Sequence, residues 1–160
     1  MMAYLNSVQQ LEEDAYLARD QVVEVVTNEK GILCLNVGGY EYGGGAHGYG
    51  WVSYMNFDVA TGKVLELKDL LVTNYSDRLN EIAARIFFGI TENDGMLFDE
   101  DPNNFKLNDN FAITGGGLIF TFNPYEIAPY VAGMPEVTIP YRDMEALIPA
   151  GGILARIRRK

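Results

Sequence analysis

Apolar residues recur along the chain with two different periods, and each switch between them marks a new element. In residues 3–19, Tyr4, Val8, Leu11 and Ala15 repeat at helical spacing while Gln9, Glu12, Glu13 and Arg19 face away, which predicts an amphipathic helix. Gln21–Val26 and Ile32–Val37 are instead dense in β-branched and apolar residues. They flank Asn28-Glu29-Lys30-Gly31, a turn signal, and so predict a hairpin. Tyr49–Val59 alternates: Tyr49, Trp51, Ser53, Met55, Phe57 and Val59 share one face of a strand, and Val52, Tyr54, Asn56 and Asp58 the other. Thr61-Gly62-Lys63 then turns the chain into a short strand, Val64–Leu67.

The helical period returns most clearly at Leu79, Ile82, Ala83, Ile86, Phe87 and Ile90, with Ser76 or Asp77 as the expected cap. Glu92–Asp101 holds five acids in ten residues and reads as a loop. Phe111–Thr114 and Leu118–Phe122 enclose Gly115-Gly116-Gly117 as a second hairpin. Val137–Ile139, bounded by Pro135 and Pro140, predicts a last short strand near a sheet edge. Tyr141–Ile148 predicts one or two helical turns. Strands dominate and connect through hairpins, so the expected fold class is α+β: an antiparallel sheet built from hairpins with two main helices packed on it.

Composition sets the scale of that fold. With 160 residues, 48% hydrophobic and 21% charged, the chain suits one domain with a real core. We read 1–160 as that domain: 1–39 a helix plus hairpin, 40–148 the body, and 149–160 a basic tail. Twenty-two acids against twelve bases give a net charge of -10. Four of those bases, Arg156, Arg158, Arg159 and Lys160, fall in the last five residues, so the body alone has eight bases against twenty-two acids, or -14. Such a surface repels phosphate backbones, which excludes nucleic acid, and it favours encounter with a basic protein. One cysteine and one histidine exclude an intrachain disulfide and Cys- or His-rich metal sites, and neither metal nor cofactor is expected. No apolar run approaches the roughly 20 residues that span a bilayer, so no membrane insertion is expected, and no signal peptide is read after Met1.

The candidate chemistry is sparse. Gly43-Gly44-Gly45-Ala46-His47-Gly48 has the spacing of a dinucleotide fingerprint, but it leads into a strand where that motif needs a helix N-terminus; it reads as a tight loop. Cys34, mid-strand among Ile32, Leu33 and Leu35, reads as a small buried hydrophobe. His47 has two readings, a ring that ties down the glycine backbone or a surface contact in a binding site. Asp99, Asp101 and Asn103 open like an EF-hand, but Asn104 and Asn110 stand where Gly and Glu are required, so a solvated loop is expected. In Asn123-Pro124-Tyr125-Glu126-Ile127-Ala128-Pro129-Tyr130, two prolines stiffen a loop that presents two tyrosines and an acid. It serves either as a recognition surface, since stiff aromatics lose little entropy on binding, or as a structural loop. The candidate binding residues are His47, Tyr49, Trp51, Tyr125, Glu126 and Tyr130, and no residue is assigned a catalytic role. An enzyme acting on cell-wall glycan, hydrolase or deacetylase-like, would have to use Glu126 and His47 across one cleft.

Several blocks together carry a family likeness. Tyr42-Gly43-Gly44-Gly45-Ala46-His47-Gly48, Asn56-Phe57-Asp58, Thr61-Gly62-Lys63, Leu67-Lys68-Asp69-Leu70, Phe122–Tyr130, Gly133 and Val137-Thr138-Ile139-Pro140-Tyr141 resemble, in order and spacing, the RsiV-type C-terminal domain. The resemblance runs from about Tyr40 to Ile148. It implies a bacterial extracytoplasmic domain of unknown function, found in membrane-anchored anti-sigma factors that sense lysozyme, beside peptidoglycan deacetylase domains, and in lipoproteins of the cell envelope. Residues 1–39 would be the end of the region that precedes it in the family. Deacetylation there belongs to a separate domain, so the resemblance implies a non-catalytic recognition or sensing module whose partner is a protein such as lysozyme, or peptidoglycan. A purely structural accessory domain is the remaining alternative.

Overall fold

A computed structural model describes residues 18–90 and 96–158. Three strands form one antiparallel sheet in the order β1–β2–β3: β1 (Ala18–Glu29), β2 (Ile32–Tyr42) and β3 (Tyr49–Asp58). Helices α1 (Leu67–Leu70) and α2 (Tyr75–Ile90) follow. A second antiparallel sheet has the order β4–β5–β6: β4 (Phe111–Ile113), β5 (Gly117–Thr121) and β6 (Glu136–Pro140). Single turns of 3-10 helix at Tyr130–Ala132 and Glu145–Leu147 precede α3 (Leu154–Arg158). The fold is α+β, but in place of one sheet under two main helices there are two three-stranded sheets and, among the described residues, one main helix. The helix expected over 3–19 lies outside the described residues except at Ala18 and Arg19, which already belong to β1.

The first hairpin is tighter than the sequence signal suggests. Glu29 pairs with Ile32, leaving Lys30-Gly31 as a two-residue turn with φ of 49° and 79°. Positive φ at both positions matches the right-handed twist of the strands, and glycine takes the second at little cost. In β2 and β3 the even-numbered positions face the core. Ile32 and Cys34 are buried there, and so are the polar Asn56 and Asp58. Trp51, Met55 and the other odd positions of β3 take the outer face.

The second sheet is the centre of the core. Phe111, Ile113, Leu118, Phe120, Val137 and Ile139 are all buried, under the α2 stripe of Leu79, Ile82, Ala83 and Phe87. Phe105 links the layers, its ring 4.9 Å from Phe87 and 5.7 Å from Phe122. β6 is an edge strand, as the two flanking prolines require. Ser76 and Asp77 lie within the first turn of α2, which begins at Tyr75, and so do not cap it. The segment read as a basic tail contributes to the core: Leu154 and Ile157 are buried, and Arg156 Nη1 reaches Asp58 Oδ2 at 3.3 Å. Arg156 and Arg158 flank Ile157, so a reading by composition sees the charge and not the apolar residues.

Three asparagines join the two sheets. Asn56 Nδ2 donates to Phe111 O at 2.7 Å while its Oδ1 accepts from Ile113 N at 3.0 Å. On the open edge of β3, Tyr54 N donates to Asn110 Oδ1 at 2.9 Å, and Val52 N to Asn123 Oδ1 at 2.8 Å. The Asn123 Nδ2 in turn donates to Val52 O at 3.1 Å. A side-chain amide carries the same donor and acceptor as a peptide group, so each asparagine stands in for a missing strand and protects an edge that would otherwise template pairing.

Candidate functional site

Two loops from different sheets meet at one end of the molecule. The glycine loop between β2 and β3 brings His47. The loop after β5 brings Tyr125, Glu126 and Tyr130, and Asn123 clamps its start to Val52 of β3. The His47 imidazole stacks on Tyr130, centroids 3.9 Å apart and planes 19° from parallel. Its Nε2 lies 3.4 Å from the Tyr125 hydroxyl, and its Nδ1 lies 2.9 Å from Gly48 O. Tyr125 and Tyr130 are 6.0 Å apart. The His47 ring thus ties to its own loop and also forms part of an exposed aromatic surface with Tyr125 and Tyr130. Gly44 and Gly45 have φ of 87° and 108°, which explains glycine at those places, and Tyr42 Oη closes the loop onto Gly45 O at 2.8 Å.

The second loop is held by its prolines and by short bonds. Tyr125 N donates to Ala128 O at 3.1 Å, Glu126 N to Asn123 O at 3.1 Å, and Pro129 starts the 3-10 turn of Tyr130 with φ of -66°. Tyr125 itself has φ of 72° and is 51% exposed. A bulky side chain in the left-handed region costs about 1–3 kcal/mol, and such strain concentrates at functional sites. The loop holds an aromatic ring outward at that cost.

The other candidates lie around this stack. Glu126, exposed, accepts from Asn108 Nδ2 at 2.7 Å. It shares a shallow cleft of about 400 Å³ with Trp51 and Asn123. Trp51 lies over Gly39, its cross-strand partner, where an added Cβ would stand 2.7 Å from the indole. Tyr49, opposite Glu41, remains on the outer face of β3, and among the described residues no ring contact joins it or Trp51 to the stack. Nor does any hydrogen bond or ion pair join His47 to Glu126 among them. Cys34 is buried near Ile113, and burial pushes its thiol pKa up. Eight strand residues separate it from Tyr42, roughly 26 Å of rise, so it is remote from His47.

Of the expected acidic loop, residues 92–95 lie outside the described residues, and the stretch from Asp99 to Asn104 is closed on itself. Asp101 N and Asn104 Nδ2 donate to the two oxygens of Asp99, and Asn103 donates to Asp101 Oδ1 from its backbone N at 2.9 Å and from Nδ2 at 2.8 Å. Sequence reasoning missed the structural role of Asn108 and Asn110. Their one signal is position: polar residues immediately before the buried strand that Phe111 opens.

The comparisons agree with this architecture. Residues 68–142 match the family model described as "Protein of unknown function (DUF3298)". A stretch of 48 residues is 40% identical to the Immunogenic protein MPT64 of Mycobacterium tuberculosis and to the Immunogenic protein MPB64 of Mycobacterium bovis, covering 30% of this chain and 20% of each of those proteins. The crystal structure of a DUF3298 family member from Bacteroides fragilis shares the fold with a TM-score of 0.83 at 22% identity, over 99% of this chain and 66% of that one. One from Pseudomonas aeruginosa gives 0.69 at 24% identity, over 89% and 68%. The chain thus spans about two thirds of those solved relatives and matches one fifth of the mycobacterial ones. Among the described residues no helix is long and apolar enough to cross a membrane. The family match covers Leu67-Lys68-Asp69-Leu70 from its second residue and the whole Phe122–Tyr130 block, while the glycine loop lies outside it. Residues 68–142 thus match the DUF3298 family domain, and the chain as a whole shares the fold of solved DUF3298 proteins, in keeping with the RsiV-like domain that its motif blocks resemble.

Proposed function

We propose that this domain is a non-catalytic, extracytoplasmic recognition module of a bacterial cell-envelope protein, and that its ligand is a basic protein of the lysozyme type. The observation that carries the reading is the strained, exposed Tyr125 packed against the His47–Tyr130 stack on a loop pinned by two prolines and Asn123. Preformed aromatic surfaces of this kind bind partners without first paying to order themselves. The net charge of -10 adds attraction for a basic partner. Glu126 is bonded to Asn108 and makes no hydrogen bond or ion pair with His47 among the described residues, which favours binding over glycan hydrolysis. The family likeness supports both the sensing role and a location outside the cytoplasm.

The test is direct binding to lysozyme by calorimetry over a salt series, with Tyr125→Ala and Tyr130→Ala beside the wild type. Both variants are expected to weaken binding at least tenfold, and salt to weaken it further. No binding, or binding that ignores both tyrosines, would reject the reading. Salt-insensitive binding to soluble peptidoglycan fragments would favour a glycan ligand, and release of reducing ends or acetate from them would make the domain an enzyme.

A further inference from the structure

Beside this surface lies a second depression, of about 420 Å³. Glu126 and Asn108 border both it and the Trp51 cleft, so the two are neighbours. Its walls are apolar: Phe105 and Phe122 come from the core, and Leu97, Leu107 and Ile127 are half-buried. Its shape is fixed from two sides. Phe98 N donates to Ile127 O at 2.9 Å, and Leu107 N to Asn80 Oδ1 of α2 at 2.9 Å.

The rim has the opposite character. Asp99 and Glu126 stand on it, each carboxylate held by a neighbouring amide, from Asn104 Nδ2 at 3.0 Å and Asn108 Nδ2 at 2.7 Å. Each still has lone pairs to offer. Among the described residues that line it, Lys106 is the one base against the two acids. An apolar bore calls for a hydrocarbon stem, and an acidic rim calls for a positive end, since a neutral occupant would desolvate the carboxylates without replacing their water. Lysine and arginine combine the two, with a long aliphatic stem and a cationic head that stays near the surface.

We propose that this pocket takes a lysine or arginine side chain of the protein partner, with its cation between Asp99 and Glu126 and its stem against Leu97, Leu107 and Ile127. The proposal deepens the recognition reading and rests on it. Its test uses small probes, so that it fails or succeeds apart from lysozyme binding. The methyl signals of Leu97, Leu107 and Ile127 are followed by NMR while Nα-acetyl-lysine methylamide is added, then Nα-acetyl-norleucine methylamide, which has the same stem without the charge. The lysine probe is expected to shift these methyls at a concentration at least threefold lower, and Glu126→Gln, an exposed position, to remove that preference. Equal response to the two probes, or no response to either, would overturn the proposal. In the full interaction, Ile127→Lys fills the pocket with a cation of its own and is expected to weaken lysozyme binding at least fivefold with Tyr125 and Tyr130 intact. A lysine preference without any lysozyme binding would support the pocket and reject the partner.

Discussion

In strands β4 and β5, alternate positions such as Ala112 and Thr121 are as buried as Phe111 and Phe120. In β1 of the other sheet, Val22, Val23 and Val25 are 52%, 61% and 62% exposed, although that strand is among the richest in valine. The two sheets resemble each other in strand number and pairing and differ in what lies on their faces. The β4–β5–β6 sheet packs under α2 and is joined to β3 by Asn56, which bonds the β4 backbone, and by Asn110 and Asn123, which bond the β3 backbone. β1 has only β2 beside it among the described residues. Apolar composition therefore marks which residues suit a strand, while the covering layers decide which strand stabilises the fold.

The largest effect should come from breaking that difference directly. Phe120→Ala removes a fully buried ring and leaves a cavity, and should cost about 3–5 kcal/mol in urea denaturation. Val23→Thr in β1 should change stability by less than about 0.5 kcal/mol, because its side chain is mostly in water already. Comparable losses at the two positions would remove the basis of the comparison.

The junction between the sheets comes next. Asn56→Ala leaves Phe111 O and Ile113 N without partners in a buried place, and each such group costs about 1–3 kcal/mol. A loss of about 2–4 kcal/mol is expected. Asn123→Ala, at the half-exposed edge of β3 where water can substitute, should cost less than half as much. If both cost the same, the asparagines do not act as strand substitutes in the way their burial implies.

The contrast between sheets also explains what could be read in advance. Hairpins were legible at Lys30-Gly31 and Gly115–Gly117 because turn chemistry is local. The α2 stripe was legible because its period persists over about three turns, from Leu79 to Ile90. The division into two sheets was not, since it depends on β3 offering its free edge to asparagine side chains far along the chain, and no local pattern encodes that. The polar inner face of β3 carried the hint: Asn56 and Asp58 alternate with Phe57 because they bond across to β4 and α3. At the site, the loop of Tyr125, Glu126 and Tyr130 was legible from its prolines. That His47 would stack on it was not, because the two segments are about 80 residues apart in sequence and meet only through the docking of one sheet on the other.

The strain at Tyr125 offers a smaller and more selective test. Tyr125→Ala and Tyr125→Gly both remove the ring, but only glycine accepts φ of 72° freely. The glycine variant should be more stable than the alanine variant by about 1 kcal/mol in thermal or urea unfolding. Both should lose lysozyme binding to the same degree. This separates the backbone strain of the presenting loop from the ring it presents, and equal stabilities would mean that the loop relaxes when the ring is gone.

The smallest effect belongs to the connection between the sheets. Lys63 Nζ sits 2.5 Å from Asp69 Oδ1, and its ammonium, with the Glu66 N–H, holds the Asp69 carboxyl below the usual carboxylate range. Because the folded pKa is depressed, the contribution is fully present above the unfolded value of about 3.9 and is lost as pH falls through the folded one. Thermal melts of wild type and Asp69→Asn should therefore differ by a constant small amount from pH 5 to 7 and converge below about pH 4. The Lys63 side chain is exposed, so added salt should narrow the gap at neutral pH as well. A gap that widened on acidification would mean that the carboxylate is tolerated there rather than favoured, and that the link from β3 to α1 depends on the Phe57–Val64 bridge alone.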